Sequence, residues 1–150
     1  MATALELLRD RMAEDTLELS YDNLDGAYTL RLVLDSIGEA EDGVIVVEVS
    51  EVPVEDQEKY GYYHFMSVLA NEVSEAQFKT TLAKLNDINM ETLLGNYFVI
   101  PDVGALVHKY VLRVNNEDAK STAEDLYACL VEVVAQVNND YDRVVASIAE

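Results

Sequence analysis

The segment Ala105–Val114 constrains the fold of this chain more than any other. Read with the two-residue period of a strand, Leu106, Tyr110, Leu112 and Val114 point one way. Ala105, Val107 and Val111 point the other way, beside Lys109 and Arg113. A strand with one wet face does not carry apolar side chains on both. Residues 61–71 repeat the pattern, with Tyr62, Met66 and Val68 set against Tyr63, Phe65 and Leu69. Val44–Val49 is β-branched and nearly continuous, as suits a strand covered on both sides. A sheet built from such strands needs a cover on each face. Amphipathic helices can supply one. The other requires the long C-terminal helix to cross over, a twin subunit, or another protein.

The remaining segments place these strands in an order. Thr3 and Glu6 form a capping-box pattern ahead of Leu5, Leu8 and Met12, which predicts a helix over 3–15. Residues 17–52 read as a three-stranded meander. Asn23–Gly26 marks the first turn, Gly38–Gly43 the second, and Pro53 the end. Glu55, Asp56 and Glu58 read as a solvated loop, and 61–71 as a strand. Ser74 and Gln77 open a helix over 74–88. Tyr97–Ile100, the turn Pro101–Gly104 and the return strand form a hairpin. A last helix covers 118–148, capped by Ser121 and Glu124, with Asn138–Asp140 a candidate interruption. Hairpin-linked strands make an antiparallel sheet, so the fold class is α+β, with flanking helices in one domain spanning 1–150.

Charge narrows the function classes. The 150 residues include 10 Lys+Arg and 29 Asp+Glu, a formal net charge of −19. So acidic a surface repels phosphates and anionic lipid, which argues against nucleic-acid and membrane partners. Cys129 is the only cysteine, and no internal disulfide can form. The N-terminal residues lack the basic and apolar regions of a signal peptide, so the expected location is cytoplasmic, in a bacterial-type cell.

No motif for phosphate cradling, a nucleophile elbow or a zinc protease is present, so neither an enzyme nor a cofactor is expected. His64 and His108 lie in strands with no further ligand at metal-binding spacing, and no metal site is expected. Fitting Asp22–Gly26 to a calcium loop puts Tyr21 and Leu32 where ligands belong, so that segment reads as a turn. Cys129 flanks the apolar stripe of its helix and reads as a core residue. The nine tyrosines, with Tyr60, Tyr62 and Tyr63 clustered, suit either a binding surface or the rim of a half-buried sheet.

The stretches Tyr62–Met66, Leu82–Asn89, Leu94–Phe98 and Ala105–Leu112 resemble the YbjN family, described as putative bacterial sensory-transduction regulators. The features that carry the likeness are Asn86, Asn89, Gly95 before an aromatic strand, and Tyr110 in an apolar return strand. The resemblance implies a fold like that of type III secretion chaperones, in the order α-β-β-β-α-β-β-α. It implies a non-enzymatic, often dimeric domain that binds a protein segment. Asn86, Asn89 and Gly95 read as structural, since asparagine suits a helix end and glycine a tight turn.

The reading that unites these observations is a protein-binding module, chaperone-like or regulatory, that takes a partner segment on an apolar sheet face and forms a homodimer. Tyr62, Phe65, Tyr97, Val107 and Val111 are its candidate contacts. Two other readings stand beside it. One is a small-ligand protein or enzyme using His64, His108 and nearby carboxylates. The other is an acidic decoy of a basic protein.

Overall fold

The α+β class follows from where the turns fall between apolar runs. A computed structural model describes residues 1–24, 26–54, 59–115 and 118–148. In chain order it contains α1 (Ala4–Met12), β1 (Glu18–Leu24), β2 (Ala27–Ile37), β3 (Gly43–Val52) and β4 (Tyr60–Ala70). Then come α2 (Phe78–Glu91), β5 (Asn96–Ile100), β6 (Ala105–Asn115) and α3 (Ala119–Ala146). The six strands form one antiparallel sheet in the order β1-β2-β3-β4-β6-β5. Four strands precede α2, one more than the order implied by the family resemblance. The first of them, β1, pairs its alternating Leu19 and Tyr21 with Leu32 and Leu30 of β2.

The helix starts follow the capping logic with two corrections. Thr3 and Glu6 make both reciprocal bonds of a capping box at α1. Ser74 and Gln77 also bond reciprocally, but they form a turn ahead of the regular helix, which begins at Phe78 and runs on to Glu91. The cap of α3 is Asp118, not Ser121: the Asp118 carboxylate accepts from the Ser121 N–H at 2.7 Å. Asn138–Asp140 does not interrupt α3, which is continuous through it. Asn138 Oδ1 accepts from the Gly38 N–H at 2.8 Å and so pins the β2–β3 turn to the helix. The acidic loop expected at Glu55, Asp56 and Glu58 lies outside the described residues.

All three helices pack on one face of the sheet. Leu5, Leu8 and Met12 of α1, Leu85 and Ile88 of α2, and Leu126, Leu130, Val133 and Val137 of α3 share one core with alternate strand residues. On the strands that core includes Leu30, Leu32 and Leu34, then Ile45, Val47 and Val49, then Tyr63 and Phe65. Tyr97, Val99 and Leu106 complete it at the β5 side. The long C-terminal helix is therefore not the cover of the second sheet face; it lies on the same side as the other two.

Two local devices fix the β5 end. Gly95 has φ +72°, and a Cβ there would run into the Lys109 carbonyl oxygen of β6, so glycine is required. Asn89, inside α2, bonds the β5 backbone twice: its Nδ2 donates to the Tyr97 carbonyl at 2.8 Å and its Oδ1 accepts from the Tyr97 N–H at 2.7 Å. One amide side chain thus does what a neighbouring strand residue would do, and blunts the edge of the sheet.

Candidate functional site: the open sheet face

The cross-strand register assigns every alternate residue to the face without helices. One row reads Glu18, Val33, Val46, Val68, Val107 and Phe98 from β1 to β5. The next reads Ser20, Arg31, Glu48, Met66, Lys109 and Asn96. A third holds Asp22, Thr29, Ser50, His64 and Val111, and a fourth pairs Val52, Tyr62 and Arg113. Five consecutive strands therefore contribute an apolar side chain to the first row. At the usual strand spacing that row is about 19 Å long. None of these residues belongs to the core under the helices.

The charge of this face differs from that of the molecule. Its paired positions carry three cations, Arg31, Lys109 and Arg113, and three carboxylates, Glu18, Asp22 and Glu48. The formal surplus of −19 lies elsewhere. The Arg113 guanidinium sits 4.6 Å from the centroid of the Tyr60 ring, and Lys59 stands 5.3 Å from it. Aromatic and cationic groups meet at this corner of the sheet.

The five candidate contacts divide between the two faces. Tyr62 and Val111 lie on the open face, Tyr62 partly exposed and Val111 43% exposed. Val107 lies there too, but it is fully buried in its row between Val68 and Phe98. Phe65 and Tyr97 are on the helix side, 0% and 1% exposed, where no partner reaches them. Tyr97 is anchored there by its hydroxyl, which donates to Asp140 of α3 at 2.8 Å. Phe98, Met66, Val46 and Val68 are partly exposed members of the open face that the alternation pattern also contains.

The two histidines sit on opposite faces and do not converge. His64 is on the open face, opposite Val111 and Ser50. Burial holds its pKa below the ordinary value, with the Lys109 charge adding to the effect. His108 is fully buried on the helix side, packed against the Tyr97 ring with centroids 4.9 Å apart. Its Nε2 lies 2.6 Å from the Leu94 carbonyl, which can only accept, so Nε2 carries the proton. Its Nδ1 and the hydroxyl of its cross-strand neighbour Ser67 are both buried without a hydrogen-bond partner among the described residues. Burial lowers the His108 pKa, against the opposing pull of the Leu94 bond and of Asp140. Cys129 is a buried core residue whose thiol burial pushes up to about 12, which leaves it protonated and unreactive at neutral pH.

The class these features define is an open-faced α+β sheet with its helices confined to one side. Compared with models of known protein families, the chain matches none. Compared with curated proteins, it matches none either. Among the described residues, no helix is long and apolar enough to cross a membrane.

Proposed function

We propose that this chain is a protein-binding module, and that the open sheet face is where its partner docks. One observation carries the reading: five adjacent strands place a continuous row of apolar side chains on one face, and all three helices lie on the other side. The occupant is a partner protein segment with apolar residues of its own. It need not be basic, because this face is charge-balanced while the rest of the chain is strongly acidic. Val111, Tyr62, Met66 and Phe98 are its contacts, with Val107 as the support beneath them. The sequence resemblance to the YbjN family points the same way, toward a chaperone-like or regulatory domain without catalysis.

The acidic-decoy reading makes the opposite electrostatic demand. Binding through −19 of charge weakens steeply with salt, whereas binding through an apolar face does not. The test pairs two substitutions with one probe. Val111→Glu and Met66→Glu sit at exposed and partly exposed positions, and the circular dichroism spectrum should be unchanged. Binding of the fluorescent dye anilinonaphthalene sulfonate should fall several-fold in the double variant, with little difference between low and high salt. A wild-type protein that sediments as a monomer and binds no dye would overturn the proposal; a wild-type dimer that the double variant dissociates would make the partner a second copy.

A further inference from the structure

A cleft lies away from the open face, at the far end of the helical layer. It has a volume of about 420 Å³ and opens between the C-terminal end of α1, the end of β2 and the outer flank of α3. That volume is in the range of small-molecule pockets. Leu34, Ile37, Leu130 and Val134 line it with apolar surface, and Met12 closes it at the α1 end. On α3, Tyr127, Val131, Val134 and Asn138 recur at helical spacing and face the cleft. They form a second stripe beside Leu126, Leu130, Val133 and Val137, which serve the core. Val131 remains 52% exposed, an apolar residue that the fold does not bury.

Among the described residues, Asp15 and Asp35 are the charged groups of the lining, with Arg11 just outside it. The C-terminal end of α1 opens on the same space, and helix C-termini favour cations. The Tyr127 ring is already covered by the Arg11 guanidinium, 3.5 Å from its centroid, so the two carboxylates are what the cleft offers a cation. The walls are also held in place. Between Leu34 and Ile37 the β2 ladder is broken by a bulge, with Ser36 at φ +59°. The turn beyond is fixed to α3 by Asn138 on the Gly38 N–H and by Asp142 on the Glu39 N–H, each at 2.8 Å.

We infer that this cleft binds a small organic cation, a hydrophobic body that carries a primary amine or guanidinium. The body fills the Leu34–Ile37–Leu130–Val134 space, and the cation lies against the Asp15 and Asp35 carboxylates. The site is independent of the open sheet face and would stand if that face bound nothing. The test uses 4-phenylbutylamine as the cationic probe and 4-phenylbutyrate as its anionic counterpart, followed by amide chemical shifts. The amine should give saturable shifts confined to α1's end, 34–38 and 127–138, and the acid none. The exposed pair Asp15→Asn and Asp35→Asn should weaken the amine at least tenfold. Ala135→Trp, at an exposed lining position, should abolish its binding by filling the cleft. Shifts scattered over the acidic surface and unaffected by Ala135→Trp would overturn the inference. So would equal binding of amine and acid, or no saturable shift at millimolar amine.

Discussion

At the scale of single residues, burial decides what the titratable groups can do. His64 and His108 both have pKa values lowered chiefly by desolvation, so the folded state resists their protonation. The unfolded chain binds those protons near the ordinary histidine value of about 6.5. Their contribution to stability is therefore complete above that value and declines as pH falls below it toward the lowered folded-state values. The denaturant midpoint should drop between pH 7.5 and pH 5, and His64→Gln should remove part of that drop. A midpoint that is flat over this range would contradict the burial of both rings in neutral form. The candidate contacts belong to this scale too. Alternation alone separates Tyr62, Val107 and Val111 from Phe65. When both faces are apolar, however, alternation does not say which one the helices take. That is why Phe65 and Tyr97, chosen as contacts, prove to be core residues.

At the scale of elements, most boundaries were legible because the apolar periods change at clear turns. Thr3 with Glu6 marked α1, Pro53 marked the end of β3, and the hairpin turn at 101–104 separated β5 from β6. What could not be read were bonds that join distant segments. Asn138 reads as a helix breaker in the sequence, but its amide oxygen accepts from the Gly38 N–H, 100 residues earlier in the chain. Asn89 reads as a helix-end residue and does lie in the last turn of α2; what its sequence does not show is that its side chain substitutes for a strand at the exposed edge of β5. Replacing it with alanine leaves the Tyr97 N–H and carbonyl to find other partners, at a cost of about 1–3 kcal/mol. Asn89→Asp keeps the acceptor for the Tyr97 N–H but loses the donor to its carbonyl, and should fall between alanine and wild type. Chemical denaturation of the three proteins checks this order; an alanine variant as stable as wild type would remove the edge-plug role.

At the scale of the whole molecule, two asymmetries define the chain: helices on one side of the sheet only, and a charge surplus that avoids the other side. An antiparallel sheet tolerates one wet face when that face is polar. Here one row across five strands is valine and phenylalanine, with Met66, Val111, Val52 and Tyr62 set among polar neighbours, and the charges at the paired positions cancel. That row is what the proposed docking of a partner rests on. The most direct measurement is site-specific photo-crosslinking in the native host, with a photoreactive phenylalanine analogue at Tyr62, at Val111, and at the exposed α3 position Glu124 as control. The account predicts one discrete adduct from Tyr62 and Val111 that forms equally at high salt, and none from Glu124. No adduct at Tyr62 and Val111, or adducts as strong from Glu124, would contradict it.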